Sequence, residues 1–147
     1  MSAIEMRLLP RTASVNADGA LSIGGVAVAE IAAQFGTPTF IYDEQHLRET
    51  CREAVAAFGA DRVIYATKAF INTAVVQLMN EEGLLLDVAT GGELFVALNA
   101  GVPASRCVLH GNNKSEDELR TAMTAGLRHI VIDSFDEIGR IERLHAE

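Results

Sequence analysis

Basic residues are scarce in this chain. Twelve lysines and arginines stand against twenty aspartates and glutamates, a formal net charge of −8 over 147 residues. Nucleic acid and anionic membrane surfaces are held by clustered Lys and Arg, so this balance argues against both as partners. Long apolar runs are also absent: no stretch of about 18 apolar residues occurs, and no membrane span is expected. The opening MSAIEMRLLPRTASVNADGA has no apolar core ahead of a small-residue cleavage site, so no signal peptide is expected and the chain reads as cytoplasmic. Cysteine is limited to Cys51 and Cys107, one in a helical pattern and one in a strand pattern. That usage supports neither a zinc site nor a disulfide framework, and fits two buried thiols. No Ser/His/Asp spacing and no metal cluster stands out. His46, His129 and His145 read as surface or element-end residues.

What is present is the composition of a folded domain, 49% hydrophobic and 22% charged, with enough length for a real core. After a polar, irregular first 20 residues, LSIGGVAVAEIAAQFG carries a Gly-Gly turn, a helical pattern from Val28 and a stop at Gly36. TFIYD (39–43) reads as a strand, and 44–58 as a helix ended by Gly59. Four short β-prone runs follow: VIYATK (63–68), LLDVAT (85–90), CVLHGN (107–112) and IVIDS (130–134). The first three begin 22 residues apart and the fourth is within one residue of that register. Helical segments are predicted between and after them, over 72–82, 92–100, 116–125 and 135–145. Gly83, Gly101 and Gly126 stand at three of the stops, and Ser115 with Glu118 forms a capping-box pattern. Short, nearly all-apolar strands alternating with helices indicate a parallel sheet covered by helices. The absence of LxxLxLxxN argues against a leucine-rich solenoid at this period. A doubly wound open sheet and a (β/α)8 barrel remain. Polar residues at the strand ends (Lys68, Asp87, His110, Asn112, Asp133) weigh toward the barrel, whose functional face lies there. Four units are half a barrel and leave strand edges unpaired, so a truncated chain is the expectation.

Each candidate has an ordinary reading beside a chemical one. By position alone, Lys68 is a strand-end lysine snorkelling to solvent. Alternation puts it on one side with Ile64 and Ala66, and there a partly desolvated amine becomes a nucleophile able to condense with a carbonyl. HGNNKS (110–115) ends like a phosphate loop, but Asn113 and Val108 stand where a Walker motif needs glycine. A bland turn or an anion site at a capped helix start both remain. DVATGGE (87–93) lacks dinucleotide-binding spacing and reads as a tight strand-to-helix connection in which Gly91 and Gly92 allow unusual backbone angles. Asp87 is a helix-start charge or a site carboxylate, and His110 a packing residue or a catalyst.

Taken together, YATKAF (65–70), LDVATGGEL (86–94) and LHGNNKS (109–115), with the TPTFIYDEQHLRE entry (37–49), resemble the diaminopimelate decarboxylases. These are pyridoxal-phosphate enzymes of the alanine racemase-like barrel class. The resemblance runs from about Gly36 to the last residue, and Thr90 falls where the family often has serine or threonine. It implies that Lys68 carries pyridoxal 5'-phosphate and that Asp87 and His110 support the cofactor, with no metal. It implies an α/β fold: residues 39–147 as the first four βα units of a parallel (β/α)8 TIM-type barrel, and residues 1–38 contributing to a separate β-domain. The implied activity is decarboxylation of meso-2,6-diaminopimelate to L-lysine and CO2, the last step of lysine biosynthesis, by a full-length homodimer acting on a small amino acid. Freed Lys68 is a candidate for proton handling. The family's remaining strands, glycine-rich phosphate loop, ring-stacking histidine and partner-subunit cysteine motif are expected beyond Glu147, so the chain alone is expected to be inactive. The alternatives are another basic amino acid in the same fold (ornithine, arginine or carboxynorspermidine) and a non-catalytic half-barrel that acts by association.

Overall fold

The computed structural model describes residues 4–147, and its backbone contacts separate two units at Thr50/Cys51. In the first unit, β1 (Ser14–Val15), β2 (Leu21–Ile23) and β3 (Val26–Ala27) form an antiparallel sheet in chain order. Gly24 and Gly25 close a two-residue hairpin that sets Ile23 opposite Val26. Helix α1 (Val28–Phe35) follows and ends at Gly36, whose N–H donates to the Ala32 carbonyl. The expected strand over 39–43 does not form: that segment has no regular structure, with Phe40 92% exposed. Its β-prone residues find no ladder among the described residues, and a strand without hydrogen-bonding neighbours has nothing to hold it. Asp43 instead starts α2 (Glu44–Phe58), accepting from the His46 N–H at 3.2 Å while Thr12 donates its hydroxyl to the same carboxylate.

The second unit holds the strand–helix repeat. Strands β4 (Ile64–Ala66), β5 (Leu85–Val88), β6 (Cys107–Leu109) and β7 (His129–Ile130) form a parallel sheet in the order β4-β5-β6-β7. Helices α3 (Thr73–Glu81), α4 (Gly91–Asn99) and α5 (Glu116–Ala125) make the crossovers, and α6 (Phe135–Ala146) follows the last strand. A doubly wound sheet reverses its order at a switch point, whereas this one steps monotonically, as a barrel wall does. Four helix starts are capped by side chains. Asn72, Thr90, Ser115 and Ser134 each accept from the N–H three residues on, and Ser115 with Glu118 completes a reciprocal capping box.

Register sorts the strand residues onto two faces. Leu86, Val88, Cys107 and Leu109 share one face and are each 0% exposed, on strands that contact α3 and α4. Burial of such side chains contributes about 1.5–3 kcal/mol apiece. Ile64, Leu85, Asp87 and Val108 share the other face. Leu85 and Val108, on the central strands, are buried there, while Ile64 on the edge is 47% exposed.

Two strands differ from their sequence outlines. The run 63–68 is a strand only through Ala66, and Thr67–Ala69 is a 3-10 turn. The run 130–134 pairs earlier, at His129–Ile130, because among the described residues β6 is its one ladder neighbour and β6 ends at Leu109. Division by contacts at Thr50/Cys51 differs from the boundary that the sequence puts ahead of Thr39, and the β-domain assignment of 1–38 remains a proposal.

Candidate active site

The chain contains only two lysines, Lys68 and Lys114, and the structure treats them oppositely. Lys114 is 1% exposed. Its Nζ lies 2.8 Å from Glu137 Oε1 and 3.0 Å from Oε2, and it also donates to the Gly111 carbonyl. Three donors meet three acceptors, so this ammonium is fully engaged. Lys68 is exposed and has no hydrogen bond or ion pair among the described residues. It lines a cavity of about 240 Å³ with Asp87, Ala89, His110, Gly111, Asn112 and Asp133. These residues all follow or end parallel strands, at their C-terminal edge.

Lys68 rests on a braced turn. Thr67 before it is 0% exposed and donates its hydroxyl to the Asp87 carbonyl at 2.8 Å; Tyr65 donates its hydroxyl to the Phe70 carbonyl at 2.8 Å. The amine is exposed while the turn that carries it is held by these two bonds. His110 extends the β6 ladder by one bond, its N–H donating to the Val88 carbonyl at 2.8 Å. Its Nδ1 is 3.6 Å from Asp87 Oδ2, beyond hydrogen-bond range. The other carboxylate oxygen, Asp87 Oδ1, is buried without a hydrogen-bond partner among the described residues. A buried acceptor left empty is costly, so this oxygen marks a place where a donor is wanted.

The structure thus brings Lys68, Asp87 and His110 to one cavity and adds Asp133 from the fourth strand end. It removes two other readings. The start of α5 is no open anion site: Ser115 and Glu118 fill the cap, and Lys114 points inward. Gly91 and Gly92 do not adopt unusual backbone angles, since both lie in the first turn of α4 and neither has a positive φ. Gly91 is small because of a close approach: a Cβ there would stand 3.2 Å from Glu118 Cγ.

Side chains that sequence reasoning missed join neighbouring strand-end loops. Glu118 Oε1 accepts from the Gly91 N–H at 2.7 Å, while Oε2 accepts from the Ser115 N–H at 2.8 Å. The bonds from those two amides hold its carboxyl below the usual range. Glu137 Oε2 accepts from the Asp133 N–H at 3.1 Å as well as from Lys114. Burial pushes the Glu137 carboxyl up, but the Lys114 and Asp133 bonds outweigh it and the net shift is downward. The S-x-x-E spacing announced Glu118 as a capping partner only. No local pattern links Lys114 to an acid 23 residues away.

Comparison with known proteins matches these motifs to relatives. The pyridoxal-dependent decarboxylase family, in its pyridoxal binding domain, matches residues 44–147. Diaminopimelate decarboxylase of Mycobacterium tuberculosis is 48% identical over 139 residues, covering 94% of this chain and 31% of that protein. The chain therefore spans about a third of the length of the curated relatives it matches. A crystal structure of a protein from Aquifex aeolicus superposes with a TM-score of 0.83 at 32% identity, over 92% of this chain and 33% of the other. The diaminopimelate decarboxylase of M. jannaschii in complex with L-lysine superposes at 0.81 with 28% identity, over 93% and 33%. With a free lysine at a parallel-strand edge and a family match over more than half its residues, the chain belongs to the pyridoxal-dependent decarboxylases.

Proposed function

We propose that this chain supplies the lysine-bearing part of the active site of a pyridoxal 5'-phosphate-dependent decarboxylase that converts meso-2,6-diaminopimelate to L-lysine and CO2. One observation carries the reading: of the two lysines, Lys114 is engaged and Lys68 has no partner among the described residues, and Lys68 lines the strand-end cavity with Asp87 and His110. The choice of substrate is supported by the Mycobacterium tuberculosis relative at 48% identity, a diaminopimelate decarboxylase.

The donor set suits the aldehyde and ring of that cofactor. A primary amine is the nucleophile an aldehyde requires, and the Asp87 carboxylate lining the same cavity is an acceptor suited to a donor on the bound molecule. Bound there, pyridoxal phosphate supplies an electron sink for the pair left behind when CO2 departs. The chain's own residues have three tasks. Lys68 Nζ would hold the cofactor's aldehyde carbon and, as a free amine, would carry a proton. Asp87 and His110 line the flank and orient what is bound. The braced 3-10 turn at Thr67–Ala69 limits how far the amine's root can drift.

Borohydride reduction of the cofactor-treated enzyme, followed by peptide mapping, tests the assignment. A cofactor mass on the Lys68 peptide is expected, and its appearance elsewhere or nowhere refutes it. Comparing meso-diaminopimelate with ornithine and arginine as substrates tests the choice of amino acid. Faster turnover of either of the latter replaces it.

A further inference from the structure

The Lys114–Glu137 ion pair has no part in the chemistry above, yet it is the most deeply buried charged contact described, each residue being 1% exposed. Taking two charges out of water is costly, and an apolar pair of similar volume is often at least as stable. Stability therefore does not account for it, but its bonding pattern does. Lys114 donates to the carbonyl of Gly111, the residue next to His110. Glu137 accepts from the Asp133 N–H at 3.1 Å, and Arg140 Nη1 donates to the Lys114 carbonyl at 2.6 Å. His110, Gly111 and Asp133 all line the cavity with Lys68. One carboxylate on α6 thus pins two cavity-forming loops that are otherwise separate stretches of irregular backbone.

We infer that Lys114 and Glu137 form a positioning clamp that holds the loops after β6 and β7, and with them His110 and Asp133, at the spacing the Lys68 cavity requires. The identity of the cavity's ligand rests on the proposed function; the clamp itself rests on the hydrogen bonds. Neither residue touches the reacting atoms, and both act through backbone groups of the loops they hold.

The test is a Lys114→Met/Glu137→Met double variant of the holoenzyme, which removes both charges together and avoids leaving one buried alone. Thermal unfolding is expected within about 4 °C of the parent. Without cofactor, amide hydrogens of 110–114 and 131–134 are expected to exchange at least about tenfold faster, with β5 unchanged. The dissociation constant for pyridoxal phosphate is expected to rise about 10- to 100-fold, a loss of the size seen when residues that orient a site's ligands are removed. Parent-like exchange in the two loops overturns the clamp, as does faster exchange with an unchanged dissociation constant. A double variant that fails to fold also overturns it, since the pair would then be holding the fold and not the loops. If the parent shows no cofactor on Lys68, the proposed function fails by itself, while the exchange comparison still decides whether the pair holds the loops.

Discussion

Gly111 offers a sharp test of how closely the strand-end loops are packed. Its φ is +113°, outside the regions open to L-residues, and a Cβ there would stand 3.2 Å from the Ala89 carbonyl oxygen. Gly111→Ala must therefore meet two costs, backbone strain of about 1–3 kcal/mol and a steric push against a neighbouring loop. Gly126, the C-terminal stop of α5, supplies the control. It sits at φ 72°, ψ 52°, with nothing within 4 Å of an added Cβ, so Gly126→Ala meets the strain alone, about 1–2 kcal/mol. Urea unfolding of both variants separates the two effects. Gly111→Ala is expected to lose about 2–4 kcal/mol, at least about 1 more than Gly126→Ala, with an unchanged m-value. It alone should weaken pyridoxal phosphate binding, because relief of the clash moves His110. Equal losses in the two variants, or unaltered cofactor binding in Gly111→Ala, would refute the close-approach argument.

Other expectations follow from the same contacts. Lys68→Ala should abolish borohydride-trapped cofactor and lower turnover by a factor of about a thousand or more, while leaving the melting temperature near that of the parent. Leu86→Ala, at a site 0% exposed, should destabilise the unit by about 2–5 kcal/mol in urea titration. Glu118 is held below its ordinary value of 4.5, so its contribution is present above about pH 4.5 and lost as pH falls through the folded-state value. The melting-temperature gap between parent and Glu118→Gln should accordingly narrow from pH 7 to pH 3, and a constant gap would count against the bonds to Gly91 and Ser115. Burial pushes the Cys107 thiol up to about 11 despite the nearby Arg106, so iodoacetamide at pH 7.5 should leave it unlabelled in the native protein and alkylate it in urea.

Much of the architecture was legible because the information is local. A 22-residue alternation of apolar strands and capped helices states its period in the sequence, and Ser115 with Glu118 announces a helix start through spacing alone. The gathering of Lys68, Asp87 and His110 was legible for a related reason: each lies in or just after one of the successive apolar runs, and parallel strands bring such positions to one edge. TFIYD was misleading, since composition measures strand preference while a strand exists only beside a partner.

The sequence by itself determined the repeat, the helix boundaries and the set of residues gathered at the strand ends, all of which depend on neighbours a few positions apart. Only the tertiary structure decided which of the two lysines is free. That choice depends on whether an acid stands opposite the amine in space, and Glu137 reaches Lys114 across 23 residues through the docking of α6, while none of the described residues pairs with Lys68.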